Sequence, residues 1–147
     1  MKQPRTNFVS RNPLVDFCFR VQEFLRTRRA FAKSEGLDPR EYELLLMLKA
    51  LAGRRSVNVS LIAENLFVHH HVAAGLVKDL ANRGLVSTQR SQRDRRSLSL
   101  HLTAQGESLL ERIVVRSVDG LASEGPQMIS SLGKILGEEH RNAADVR

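Results

Sequence analysis

Cysteine is almost absent from the chain. Its one cysteine, Cys18, rules out a disulfide within the chain. No apolar run approaches the roughly 18 residues that a membrane-crossing helix needs. The polar N-terminal stretch lacks the apolar segment of a signal peptide, so a cytoplasmic protein with no membrane partner is expected. "SLGK" at residues 131–134 lacks the first glycine of a phosphate-binding loop at the required spacing, and no metal-ligand pair or activated serine stands out. Nothing therefore supports an enzyme, a cofactor or a metal centre. Internal repeats and low-complexity segments are also missing.

Acidic residues are in the minority. Sixteen Asp and Glu face twenty-three Lys and Arg, a formal net charge of +7, so the surface field attracts polyanions. Nucleic acid is the leading partner class, although a ribosome or an anionic membrane would select the same sign. With 41% hydrophobic and 27% charged residues the chain has the balance of a folded protein. At 147 residues it fits one domain, or one subdomain with helices that make it oligomerise.

Residues 1–12 read as a flexible basic arm. From Pro13 the residues Leu14, Phe17, Cys18, Val21, Phe24 and Leu25 recur at steps of three and four, one stripe of a helix to about Ala32, with residues 13–36 as an N-terminal dimerisation segment. Asp38, Pro39 and Glu41 form an N-cap, a first-turn proline and a capping-box partner for a second helix through Tyr42 to Leu51. A short third helix carries Leu61, Ile62 and Leu66. "FVHHHVAAGLVKDLANRGLV" follows, with Ala73, Leu76, Val77 and Leu80 on one helical face and His70, His71, Ala74, Gly75 and Lys78 toward the other. Gly84 stands where a left-handed helix cap is wanted.

Leu85–Arg90 reads as a strand and "RSLSLHL" as its return. Leu98, Leu100 and Leu102 alternate with Ser97, Ser99 and His101, one face buried and one wet. Thr103 caps a further helix, a break is expected at Gly125-Pro126, and another helix carries Met128 to Leu136; residues 104–137 form the C-terminal dimerisation helices and 138–147 a polar tail that frays. The fold class is mainly α with a small β-hairpin wing: a winged helix-turn-helix over residues 37–103 between N- and C-terminal dimerisation helices.

Three consecutive histidines raise their own question. Successive helical residues sit about 100° apart, so His69, His70 and His71 cannot converge on one metal. Catalysis would need a nucleophile or an orienting carboxylate, and the neighbours are Val, Ala and Gly. Imidazoles can instead meet a phosphate or a base edge, which would make binding pH-dependent, or one can cap the helix and another be merely solvated. Arg90, Arg93, Arg95 and Arg96 surround Asp94 at the hairpin tip, either a solvated charge run or a minor-groove and phosphate contact. Ser60, near the start of the third helix, and Lys78 are phosphate-contact candidates.

"LDPREYELLLML", "VNVSLIAENL", "LVKDLANRGLV" and "RDRRSLSLHLTAQGESLL" together resemble the MarR-type (multiple-antibiotic-resistance regulator) transcriptional regulators over nearly all of residues 13–137. The wing Asp-x-Arg followed by the leucine-rich strand and Leu-Thr-x-x-Gly is the most specific part. The resemblance implies a homodimer with interlocked first and last helices, and a recognition helix in each major groove of a palindromic double-stranded operator. It also implies an Asp94–Arg96 pair turned to the minor groove and a small aromatic or phenolic effector that releases DNA. The family usually begins this recognition helix with a Ser-Pro-Ser-like run, from which His69–His71 depart.

"FCFRV" at residues 17–21 resembles the reactive-cysteine run of the family's peroxide-sensing branch. Tyr42 falls where one of the supporting tyrosines would be, and Pro39 where the other should stand. Cys18 lies on the apolar stripe of its helix, where a cysteine serves more often as a small hydrophobe than as a sensor. The expected function is a sequence-specific, ligand-released repressor. A peroxide sensor using Cys18 and a non-specific nucleic-acid-binding protein are the alternatives.

Overall fold

The computed structural model describes residues 12–90 and 98–144. The basic arm to residue 11, the wing-tip residues Arg93, Asp94, Arg95 and Arg96, and residues 145–147 lie outside the described residues. The element order is α1 (Pro13–Ser34), α2 (Pro39–Leu51), α3 (Val59–Leu66), α4 (His70–Asn82), β1 (Val86–Arg90), β2 (Leu98–Leu102) and α5 (Ala104–Ala144). It is the expected mainly helical chain with one antiparallel hairpin. The described residues divide into two compact units: a terminal unit up to Arg28 and from Ser117 onward, and a lobe of Arg29–Arg116.

The lobe is built on capped helices. Asp38 accepts the Arg40 N–H at 2.9 Å, and Glu41 Oε2 accepts the Asp38 N–H at 2.9 Å, the reciprocal box that satisfies otherwise orphaned donors at the start of α2. Asn58 caps α3 by accepting the Leu61 N–H at 2.9 Å. Leu44, Leu45 and Leu48 of α2 then gather with Ile62 of α3, Leu80 of α4, Leu100 of β2 and Ile113 of α5 into one core. Each such aliphatic side chain contributes about 1.5–3 kcal/mol of burial.

β1 and β2 pair from Val86↔Leu102 to Arg90↔Leu98. The period-two reading of β2 holds at its inner end, where Leu100 is buried and Leu102 half-buried. Leu98 is instead exposed, because its partner Arg90 lies at the outer end of the hairpin, past the reach of the core. The Leu100 N–H donates to the Val57 carbonyl at 2.8 Å, tying the α2–α3 loop to the wing. Thr103 closes the hairpin: its hydroxyl donates to the Gly84 carbonyl at 2.6 Å and accepts the Gly106 N–H at 3.0 Å. Gly84 has φ +72°, the left-handed cap expected of it. Gly106 is required by space, since a Cβ there would stand 2.1 Å from the Leu85 carbonyl oxygen.

In the terminal unit α1 and α5 run antiparallel, with Asp16 beside Ser131 and Arg20 beside Glu124. Ser131 donates to the Asp16 carboxylate; Arg20 donates to Asp16 at 2.9 Å and to Glu124 at 3.2 Å. The bond to Asp16 raises the Arg20 pKa further, so this guanidinium stays charged.

Two expectations for the C-terminus are corrected here. Gly125-Pro126 does not end a helix: α5 is one helix of 41 residues with Pro126 inside it. A proline forfeits one helical hydrogen bond, but the contacts of Glu124 and Ser131 with α1 hold the chain on both sides of it. The helix also continues through the expected polar tail to Ala144. A third correction concerns Cys18, which is exposed rather than buried on a stripe. Leu14 is exposed as well, while Phe17, Val21, Phe24 and Leu25 are half-buried.

Candidate nucleic-acid interface

α3 and α4, joined by residues 67–69, form a helix-turn-helix within the lobe. α4 is seated by Ala73, Val77 and Leu80, all buried. Its far end is braced by Arg83, which donates to Glu41 at 3.1 Å and to the Gly36 carbonyl at 3.0 Å. The brace fixes α4 against the capped start of α2. Nothing in local periodicity points to Arg83; the available signal is Glu41, a capping carboxylate with an acceptor site to spare.

The opposite face of α4 is open. His69, His70, His71, Gly75 and Lys78 are exposed, and Ala74 is half-buried because it flanks the buried stripe. His69 occupies the N-cap position but its side chain makes no capping bond, so the capping reading fails for this residue. Its ring stacks on that of His71 instead, with centroids 5.7 Å apart and planes 8° from parallel. Among the described residues no group of three His, Cys, Asp or Glu is placed to hold a metal ion. Ser60 is exposed in the first turn of α3, and Arg90 is exposed at the end of β1.

Ion pairing is uneven across the lobe. Arg29, Lys49, Arg83 and Arg112 each pair with a carboxylate: Glu43, Glu107, Glu41 and Glu35 respectively. Among the described residues Lys78, Arg90 and the exposed loop residues Arg54 and Arg55 have no such partner, and neither do Lys33, Arg40 and Arg116 elsewhere in the lobe. Cations already neutralised add little attraction for a polyanion, whereas unpaired ones release counterions when they meet phosphate. In the sequence Arg54 and Arg55 merely follow the end of α2, and no motif singles them out.

The two pocket candidates belong to different units. Cys18 is exposed in the terminal unit, and Tyr42 is buried in the core of the lobe. No described helix is long and apolar enough to cross a membrane.

Residues 35–97 match the MarR family. No curated protein matches the chain in sequence. Among solved structures, the chain is similar to MepR, a transcription regulator of the Staphylococcus aureus multidrug efflux pump MepA, with TM-score 0.70, 19% identity and coverage of 88% of this chain and 98% of that one. A mutant MepR from the same organism, bound to an oligodeoxyribonucleotide, is similar with TM-score 0.64 and 20% identity over 83% and 94% of the two chains. A mutant MarR from E. coli gives 0.61 and 13% over 97% and 100%. At such identities the likeness is one of fold. Residues 35–97 thus carry the sequence pattern of the MarR family, and over most of its length the chain has a fold similar to those of MepR and MarR.

Proposed function

We propose that the protein is a sequence-specific DNA-binding transcriptional regulator, a homodimer that represses from a palindromic operator and leaves it when a small aromatic or phenolic molecule binds. The observation that carries this reading is α4: a helix clamped at its far end by Arg83, seated by three buried residues, and presenting an open face with unpaired Lys78 and three exposed histidines. Phosphate contacts from Ser60, Lys78, Arg90 and the wing-tip arginines would supply affinity, with Arg96 aligned by Asp94 toward the minor groove. Base edges met by His69, His70, His71, Ala74 and Gly75 would supply discrimination.

Dimerisation is supported by the terminal unit. Phe19 and Leu121 are 41% and 37% exposed, Leu132 and Leu136 are 40% and 52%, and Ile129 is 73% exposed. Apolar surface of this extent calls for a partner, and a second copy would set two recognition helices at one helical turn of DNA. The effector reading has a cavity of about 180 Å³ at the root of the wing, lined by Leu48, Val57, Leu102, Arg55, His101 and Glu107 among others. Its volume is on the scale of a one-ring molecule, and Arg55, His101 and Glu107 give it a part-polar lining suited to a phenolic hydroxyl. The exposure of Cys18 favours the peroxide-sensing alternative in one respect, access.

The test is selection of duplexes from a random pool by the purified protein, followed by competition against unselected duplex at fixed salt. A specific regulator prefers the selected sequence by about a thousandfold or more; equal binding would leave a general nucleic-acid surface. Lys78→Ala should lower the slope of log affinity against log salt by about 2 for a dimer with one phosphate contact per protomer.

A further inference from the structure

Phe67 ends α3 with φ +53°, the one non-glycine residue at positive φ among the described residues. Bulky side chains are outliers in this left-handed region, which glycine occupies freely and asparagine tolerates. The backbone bonds made there, from the Phe67 N–H to the Ala63 and Glu64 carbonyls, would serve any residue. The ring adds nothing to the core, for it is 95% exposed, the most exposed large apolar side chain described. In the free protein this residue therefore carries both backbone strain and bare apolar surface without a compensating contact, and local strain of this kind persists where a function uses it.

Its position says which partner uses it. Phe67 lies in the turn of the helix-turn-helix, two residues before His69 and three before α4 begins. At no more than about 3.6 Å per residue, its Cα is within about 11 Å of that of His70. The major groove is about 12 Å wide. Phe67 therefore stands within one groove width of the start of α4, with its ring exposed to a partner that receives the open face of that helix. The groove offers one apolar feature among its polar base edges and phosphates, the C5 methyl of thymine.

We infer that Phe67 is a specificity-determining residue that packs its ring on a thymine methyl at one position of each half-site. This rests on the DNA-binding reading above. Burial of one methyl corresponds to about a fourfold change in affinity, or about fifteenfold over two symmetric half-sites.

The experiment uses the full chain and the duplex it selects from a random pool, with thymines replaced one symmetric pair at a time by uracil, which removes the methyl and nothing else. The wild-type protein should lose about fifteenfold at one pair of positions. Phe67→Gly and Phe67→Asn should bind the unmodified duplex about as weakly as the wild type binds that uracil duplex, and show no further loss with uracil. Their melting temperatures should equal or exceed that of the wild type, by about 3 °C where strain is relieved. Variants that keep wild-type affinity and methyl dependence overturn the inference and leave the DNA-binding reading standing. So does a lowered melting temperature, which would make the ring structural. A wild-type protein that selects no sequence would fail the DNA-binding reading itself and take the inference with it.

Discussion

The lobe and the terminal unit divide polar and apolar residues in opposite ways. All the buried hydrophobic residues described lie between Ala32 and Ile113, in the lobe, whereas the buried residues of the terminal unit are Asp16, Ser117 and Ser131. Many large apolar residues of the terminal unit are exposed, Leu14, Val15 and Phe19 on α1 and Val118, Leu121, Ile129, Leu132 and Leu136 on α5, while Phe17, Val21, Phe24 and Leu25 are only half-buried. A polar interior stabilises weakly, because its hydrogen bonds replace bonds to water, while covering apolar surface is the dominant favourable term. The lobe thus has its driving force within its own buried residues, and the proposed dimer would supply one to the terminal unit by covering its exposed apolar residues. Asp16, Arg20, Glu124 and Ser131 act as a register for α1 against α5 more than as a source of stability.

The sharpest attempt on this division is Gly106→Ala. Its Cβ would collide with the Leu85 backbone, not with a side chain that can turn away. We expect a loss of about 3 kcal/mol or more in lobe stability, seen as a large drop in the thermal midpoint. Unchanged melting would mean that α5 and the wing are not locked together as described.

Ile129→Glu probes the other side. This residue is 73% exposed in the single chain, so the substitution should leave protomer stability within about 0.5 kcal/mol. It should nonetheless shift sedimentation toward the monomer and weaken operator binding about a hundredfold through loss of bivalency. A dimer that survives would remove the terminal unit from the proposed interface.

Arg83→Ala should have the smallest effect of the three, about 1–2 kcal/mol, because it leaves the Gly36 carbonyl and the Glu41 carboxylate short of a donor. Its signature is a fall in DNA affinity larger than the fraction unfolded explains, measured by titration well below the melting transition. An affinity loss that tracks unfolding alone would make Arg83 a stability residue and nothing more.

Much of the lobe is legible in the sequence. Asp38, Pro39 and Glu41 announce α2, and the alternation at Leu100 and Leu102 announces a strand; these features act within a few residues along the chain and so leave a local trace. The His69 ring cannot be placed this way, since capping and stacking on His71 are both open to an imidazole at that position. Leu98 misleads because alternation marks a face without saying how far the core extends along it. Cys18 misleads for a related reason: a helix stripe shows which residues share a side and is silent on whether this chain or a partner covers it.

Spacing and caps determined by themselves where α2 begins, that two short helices and a hairpin follow it, and which face of α4 is apolar, because caps and amphipathic periods are properties of neighbouring residues. Tertiary structure alone decided that α5 runs unbroken through Pro126, that Arg83 braces α4, and which of the lobe's cations meet a carboxylate. These outcomes depend on groups far apart in the chain, such as Ser131 with Asp16 and Arg83 with Glu41. Their contact energies exist only once the helices have packed.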